Sequence, residues 1–200
     1  MRLVSERNEN GGKKKMKVST RQIVISGLLT AVTVVLGVTN WGFIALPTPA
    51  GAATFMHVPV IIAGVLEGPL VGAFVGLLFG LFSLRFMADP LVVIPARLVI
   101  GLFAWLAFRG VRKLTAQYLP AGKGLLGGLG VAGIVAGVVG TFTNTAGTLL
   151  LAVWRGYLTP TAAWTIALTH GVPELVLAGF VVGSLLVALL PLIRQGKINV

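Results

Sequence analysis

Residues 55–84 read FMHVPVIIAGVLEGPLVGAFVGLLFGLFSL, an apolar stretch of 30 residues that is interrupted at Glu67-Gly68-Pro69. A glycine followed by a proline beside a charged residue is typical of a turn. A helix that crosses a bilayer needs about 20 apolar residues, so the stretch forms either one long membrane span or two short ones. That choice decides on which side of a membrane every later segment lies.

The composition around this stretch is that of a membrane protein. Hydrophobic residues make up 56% of the 200 residues and charged residues only 10%, whereas soluble domains carry about 25% charged residues. The length leaves room for about five to seven spans and no separate soluble domain. The sequence contains no cysteine, which excludes disulfide bonds, thiol catalysis and cysteine metal sites.

The positive charges favour two crossings over one within residues 55–84. Thirteen of the sixteen lysines and arginines fall within residues 2–21, 109–123 and 194–197. Two crossings with a turn at residues 67–69 place all three groups on the cytoplasmic side, where positively charged segments are enriched. The net charge of +11 therefore indicates membrane topology rather than nucleic-acid binding.

We therefore predict an all-α integral protein of the cell membrane with six transmembrane helices and both termini in the cytoplasm. Residues 1–20 form a basic cytoplasmic leader, residues 21–193 the six-helix membrane domain and residues 194–200 a cytoplasmic tail. The spans are predicted at residues 23–39, twice within 55–84, and at 91–108, 125–153 and 171–193. The second and third spans are short, so we expect tilting, local thinning of the bilayer or burial of part of residues 46–56.

Small residues four positions apart mark helix faces that can approach closely in a membrane, where no hydrophobic force joins the helices. In the third and fifth spans, where we expect internal packing, they are Gly72, Gly76, Gly80, Gly133 and Gly137. Gly27 and Ala31 mark such a face on the first span. A terminal helix is easily peripheral, so for this pair internal packing and contact with another protein are equally supported.

Three polar residues at membrane depth are candidates for function, because such residues are costly and usually functional. Arg97 forms either a structural ion pair with Asp89 or Glu174, or a fixed cation that binds an anionic or strongly polar ligand. Asn144 cannot easily bond back to its own helix as threonine does, which favours ligand binding. Glu174, next to Pro173, fits either the start of the last helix, where an acid complements the helix dipole, or a ligand contact.

The predicted topology collects the polar residues at the outer face. The candidate substrate-binding residues are Arg97, Asn144, Arg85, Asp89, Glu174, Trp41, His170 and Phe86. This arrangement is typical of a receptor that takes a small extracellular molecule between its helices. The sequence has no phosphate-binding loop, no serine nucleophile motif and no HExxH zinc motif, so we predict no catalytic residue, no metal and no cofactor.

Several segments, in this order along the chain, resemble a known family of membrane proteins. They are Met56 to Ile62, Glu67-Gly68-Pro69, Gly72 to Leu81, Asp89-Pro90, Ile94 to Arg97, Thr143-Asn144-Thr145 and Gly171 to Leu175. Together they resemble the substrate-binding S component of energy-coupling factor (ECF) vitamin transporters, over residues 20–193. The pairing of Pro95-x-Arg97 with the Thr-Asn-Thr segment is most similar to pantothenate-type S components.

The resemblance implies a six-helix protein that binds one vitamin or precursor with high affinity from outside. It also implies association with a membrane coupling protein and two cytoplasmic ATPases. In the family, small residues of the first helix contact the coupling protein, and Gly27 and Ala31 occupy those positions here. The pocket would lie in the outer loops and spans four to six, and Arg97 or Arg85 would bind the carboxylate of pantothenate. The alternatives are folate, riboflavin, cobalamin or a thiamin precursor as ligand, and a stand-alone secondary carrier or channel.

Overall fold

The computed structural model describes residues 20–39, 41–45, 52–118 and 123–195. Its helices are α1 (Thr20–Thr39), α2 (His57–Glu67), α3 (Pro69–Ser83), α4 (Pro90–Leu98), α5 (Ile100–Tyr118), α6 (Lys123–Trp154), α7 (Pro160–Ile166), α8 (Val172–Ala188) and α9 (Leu190–Arg194). Four helical segments are long and apolar enough to cross a membrane, at residues 22–39, 90–118, 127–154 and 160–188. Nearly all of the predicted leader and most of the predicted tail lie outside the described residues.

The helix break predicted at Glu67-Gly68-Pro69 is confirmed. α2 ends at Glu67 and α3 begins at Pro69. Gly68 between them has a φ of 95°, a left-handed conformation that residues with a side chain rarely adopt. Pro69 occupies the first helical position, where its missing N–H costs nothing. The opening stretch of the sequence is therefore two short helices rather than one long one.

α2 lies at the centre of the bundle. Every residue from His57 to Val65 is buried, and the helix contacts α1, α3, α5, α6 and α8. Its 11 residues give a length of about 16 Å, well short of the roughly 30 Å hydrocarbon core. Met56, immediately before it, is fully buried as well. The other helices therefore enclose α2, and its backbone is covered by protein.

Glycines allow α2, α3 and the α4–α5 segment to cross in direct contact. A side-chain carbon on Gly64 would lie 2.3 Å from the carbonyl oxygen of Gly101, and one on Gly72 would lie 2.8 Å from the Cα atom of Gly101. A side-chain carbon on Gly76 would likewise lie 2.3 Å from the carbonyl oxygen of Arg97. Larger residues would force these backbones apart. The glycines of α3 therefore fix where Arg97 stands in the bundle.

The internal packing predicted for the third and fifth spans is confirmed. On α6, a side-chain carbon on Gly137 would lie 2.6 Å from the carbonyl oxygen of Ala178 on α8, and one on Gly133 would lie 2.9 Å from the Cα atom of Gly183. α1 differs at Gly27, where a side-chain carbon would meet nothing within 4 Å among the described residues, and Ala31 is exposed. This pair therefore does not pack against the described part of the bundle, whereas Gly37, near the end of the same helix, is buried against Phe82 and Met56.

The helix of the predicted fourth span extends past Phe108, where we predicted the span to end. The helix continues to Tyr118, so the central basic cluster begins on a helix and not in a loop. Arg109 and Arg112 are good helix formers, and Gly110, the single glycine of this segment, weakens a helix without ending it. The helix therefore extends about three turns beyond the predicted end.

The helix of the predicted last span likewise begins before residue 171, where we predicted the span to start. The helix begins at Pro160 with Thr159 as its N-cap, passes through a π-helical turn at Ala167–Gly171 and ends at Ala188. Pro173 suggested a helix start because it has no N–H to donate. A π turn bonds each N–H five residues back instead of four, and this change of register lets the helix continue past the proline.

The all-α prediction is confirmed for the bundle, and the structure adds one small element to it. The chain between α1 and α2 contains an antiparallel pair of strands, β1 (Phe43–Ala45) and β2 (Ala52–Thr54), which the sequence did not predict. Strands of three residues are too short for side-chain alternation to reveal them. β2 leads directly into the buried Met56 and α2, so the hairpin is anchored at the end of the bundle that contains the polar cavity described next.

Candidate functional site

A cavity of about 330 Å³ lies among α3, α4, α6 and the last long helix, next to β2. Five of the predicted substrate-binding residues line it, namely Phe86, Arg97, Asn144, His170 and Glu174. Most of the remaining wall is apolar and includes Phe79, Val93, Leu149 and Ile166. A small apolar cavity with a few convergent polar groups is the usual form of a small-molecule site.

Arg97 is held in one orientation at the wall of the cavity. Only 8% of the residue is exposed. Its guanidinium carbon lies 4.7 Å from the centre of the Phe79 ring, and an Nη atom donates a hydrogen bond to the hydroxyl of Thr148. Its Nε atom is buried and has no hydrogen-bond partner among the described residues. A fixed cation with unused donors is suited to bind an anionic group.

Glu174 lies on α8 and is as buried as Arg97. Its Oε1 atom accepts a hydrogen bond of 2.7 Å from the backbone N–H of Thr54, 120 residues away in sequence, which fastens β2 to α8. Because the helix runs on from Pro160, Glu174 does not stand at a free helix N-terminus. The carboxylate of Asp89 pairs with Arg155, and no salt bridge between Arg97 and Glu174 is found among the described residues. Arg97 and Glu174 therefore share the cavity without pairing with each other.

Asn144 and Thr148 lie one turn apart on α6 and both line the cavity. The Oδ1 atom of Asn144 is buried, and no described residue bonds to it. The Thr148 hydroxyl accepts the bond from Arg97 and donates to the backbone carbonyl of Asn144 at 2.7 Å. The hydroxyls of Thr141 and Thr143 bond back to their own helix, as predicted. Asn144 thus offers a polar atom that its neighbours do not use.

A π-helical turn interrupts the last long helix beside the cavity. π turns are frequent at functional sites. His170 lies in the turn and Glu174 one turn later, and both line the cavity. The Nδ1 atom of His170 lies 3.1 Å from the hydroxyl of Thr169. The irregular helix therefore contributes one ring and one carboxyl group to the same wall.

Asp89 does not line the cavity and instead joins two loops beside it. Its Oδ2 atom accepts hydrogen bonds from Nε of Arg155 at 2.7 Å and from the hydroxyl of Tyr157 at 3.0 Å. Its Oδ1 atom accepts a bond from the N–H of Leu91 at 2.9 Å, which caps α4. The bond from Arg155 lowers the pKa of Asp89, burial opposes this shift, and the same bond raises the pKa of Arg155.

These bonds, which we call the Asp89 cross-link, connect the α3–α4 loop to the α6–α7 loop. The first loop supplies Phe86 and Met87 to the cavity, and the second supplies Leu158. The predicted alternative of an ion pair between Asp89 and Arg97 is wrong, because Arg155 occupies the carboxylate. Asp89 therefore acts on the cavity through the positions of the two loops.

Two more predicted residues lie away from the cavity lining. Trp41 follows α1 and is 80% exposed. Arg85 donates a hydrogen bond to the backbone carbonyl of Gly37 in α1, and its guanidinium carbon lies 5.9 Å and 5.7 Å from the ring centres of Phe82 and Phe86. Arg85 therefore attaches the α3–α4 loop to α1, and of the two candidate arginines Arg97 alone faces the cavity.

Some residues of the site were not predicted from the sequence. Thr148 lies four residues after Asn144, on the same helix face, so its position gave a usable signal. Phe79 follows the spacing of the apolar face of α3, which does not distinguish it from an ordinary core residue. Thr54 and Tyr157 are distant in sequence from the carboxylates that they contact, and no local pattern marks them.

Comparisons with known proteins agree with this architecture. A family model described as "ECF transporter, substrate-specific component" matches residues 21–186. A solved structure, described as the S component of a bacterial ECF transporter, is 22% identical in sequence, and the match covers 88% of this chain and 97% of that chain with a TM-score of 0.50. No curated protein matches the chain significantly. The likeness to the solved structure concerns the fold, and the family match extends over most of the sequence.

Proposed function

The chain belongs to the substrate-specific components of ECF transporters, and we propose that it is the high-affinity binding subunit for a small acidic vitamin or precursor, pantothenate first among them. The family assignment and the four long apolar helices make it a multi-pass protein of the cell membrane. S components are transporter subunits that bind substrate, not enzymes, and they associate with the membrane and ATPase modules of the transporter.

The observation that carries the proposed ligand class is the buried Arg97 in the cavity. A cation at membrane depth is costly, and here one of its donor atoms has no partner among the described residues. The carboxylate of an acidic vitamin would supply the charge-assisted hydrogen bonds that this guanidinium lacks. The volume of about 330 Å³ lies at the lower end of ligand pockets, which favours pantothenate over larger vitamins such as cobalamin.

For the membrane topology we propose six crossings with both termini in the cytoplasm. α2 and α3 would be the second and third spans, at about 16 Å and 22 Å long, with the rest of the bundle covering the ends that they do not reach. Four exposed aromatic residues lie toward the end of the bundle opposite the proposed cytoplasmic termini, where they suit the outer membrane–water interface. They are Trp41, Trp154, Tyr157 and Trp164. The cavity would then open to the outside.

The ligand class is tested on the purified protein. We expect mass spectrometry to find an acidic vitamin or precursor that copurifies with it, and calorimetry across a panel of vitamins to give binding at low micromolar affinity or better for an acid. Binding of none of the panel would contradict the proposal. ATP-independent flux through the protein alone in liposomes would favour the secondary carrier or channel instead.

We predict that Asp89→Asn increases the dissociation rate constant of the ligand about 3- to 10-fold, as expected for the loss of one or two hydrogen bonds. The asparagine side chain still accepts from Leu91, so α4 keeps its cap, while the ion pair with Arg155 is lost. Release of radiolabelled ligand measures the rate. Thr115→Ala, which removes a hydroxyl that bonds back to Val111 on α5 away from the cavity, is the control, and an unchanged rate in Asp89→Asn would exclude a role of the cross-link in retaining ligand.

The same cross-link predicts a pH dependence. Because Arg155 lowers the pKa of Asp89, the ion pair is complete above the usual aspartate pKa of about 3.9 and is lost only as the pH falls through the lowered value. Titration of Asp89 should therefore leave the ligand dissociation rate of the wild-type protein unchanged between about pH 5 and pH 8. An Asp89-dependent rise in the rate within that range would contradict the assignment.

A further inference from the structure

Resting on the proposed function, we infer that the ligand is bipolar: an anionic group binds at Arg97, and a hydrogen-bond donor group, a hydroxyl or an amine, binds at Glu174. The proposal names a second recognition point in the same cavity. It also restricts the substrate class, because an acid whose far end carries no donor would satisfy only one of the two charged residues.

The polar lining of the cavity carries two opposite charges. Arg97 and Glu174 line the same cavity, carry opposite formal charges and are each 8% exposed. Each is held by its own neighbour, Arg97 by Thr148 and Glu174 by the backbone of Thr54. They remain apart because these contacts fix them on α4 and α8. The empty cavity therefore contains a positive and a negative side chain that attract each other electrostatically without direct contact.

A ligand with a single charge is costly to bind in this cavity. In surroundings of low polarity, a buried charge is stable only when it is paired and hydrogen-bonded. An anion that binds Arg97 cancels the positive charge that had offset Glu174, and the carboxyl group of Glu174 is then left with fewer favourable contacts. A donor group at the far end of the ligand restores the balance at Glu174, so the two ends bind cooperatively.

The cavity lining also contains hydrogen-bond acceptors that lack donors. A carboxylate can accept about four hydrogen bonds, and Thr54 is the partner that the structure shows for Glu174 within its described ranges. Asn144, which also lines the cavity, has an Oδ1 atom that no described residue bonds. Both groups require donors, and the ligand is the natural source of them.

The test combines one variant with one pair of ligands. Glu174→Gln removes the charge and keeps an oxygen that accepts from Thr54, so β2 stays attached to α8. The probes are pantothenate and its analogue with both hydroxyls methylated. We expect methylation to weaken binding to the wild-type protein roughly 10- to 100-fold, the value of a hydrogen bond to a charged group, and to weaken binding to Glu174→Gln much less. Glu67→Gln, which changes the same charge at the α2–α3 turn, should behave as the wild type.

The possible failures are distinct. Equal loss on methylation in the wild-type protein and in Glu174→Gln would overturn the inference and leave the proposed function standing. So would tight binding of an acidic vitamin that has no donor opposite its acid group. If neither pantothenate nor any other vitamin acid binds to the wild-type protein, the proposed function itself falls, and the bipolar ligand falls with it. Thermal unfolding of Glu174→Gln, expected to match the wild type, confirms that the variant is folded.

Discussion

Arg97→Ala is expected to weaken binding of the acidic ligand by roughly 30- to 5,000-fold. Removal of one partner from a buried, hydrogen-bonded charge pair costs about 2–5 kcal/mol, which corresponds to that range of affinity. The loss is large here because the guanidinium is prepared for the ligand: it is stacked on Phe79 and fixed by Thr148. Calorimetry on the purified protein measures the affinity, and a thermal melt checks that the bundle is intact.

Two further variants decide what the loss means. Arg97→Lys keeps the positive charge but loses the planar fork and the stacked orientation, so it should recover part of the affinity. Arg109→Ala removes another arginine that stacks on an aromatic ring, 4.8 Å from the centre of Trp105, and should leave binding unchanged because this residue does not line the cavity. Unchanged affinity for acidic ligands in Arg97→Ala would remove Arg97 from the site and with it the basis of the proposed ligand class.

The parts of the fold that were predictable depend on short-range chemistry. The turn at Gly68 follows from a glycine and a proline that need no knowledge of distant residues, and the close-packed glycine faces follow from spacing alone. The start of the last helix was not predictable in this way. Pro173 has the local properties of a helix start, and the π turn before it, which allows the helix to continue, leaves no pattern in the sequence.

In the candidate site, too, some features follow from the local sequence and others depend on distant contacts. Arg97, Asn144 and Glu174 could be named as candidates because polar groups within apolar spans are rare and the predicted topology collects them at one end of the bundle. Which of the candidate residues line the cavity depends on contacts between loops far apart in sequence. Asp89 binds Arg155, 66 residues away, and is thereby directed away from the cavity, and no composition or spacing rule contains that information.

The second large effect is expected on transport rather than on ligand binding. Gly27→Leu and Ala31→Leu should impair uptake and complex formation while ligand affinity stays at the wild-type value. α1 exposes an apolar face to the outside of the bundle, and its exposed large residues include Ile23, Val24, Leu28, Val32 and Val35. Gly27 has open space at its side-chain position and Ala31 is exposed, so added bulk does not disturb the bundle itself.

The bulk acts only if another protein packs closely on this face. Small residues four apart allow that approach, and overpacking a close interface costs about 1–3 kcal/mol, so we expect affinity for the coupling protein to fall by about 5- to 150-fold. Copurification with the coupling module and vitamin uptake in cells measure this. Ser184→Leu, which adds similar bulk to an exposed position on α8, should leave both unchanged. If Gly27→Leu and Ala31→Leu lose ligand binding while still folded, or keep full uptake, then this face of α1 is not the coupling surface and the close helix contact must be sought elsewhere on the bundle.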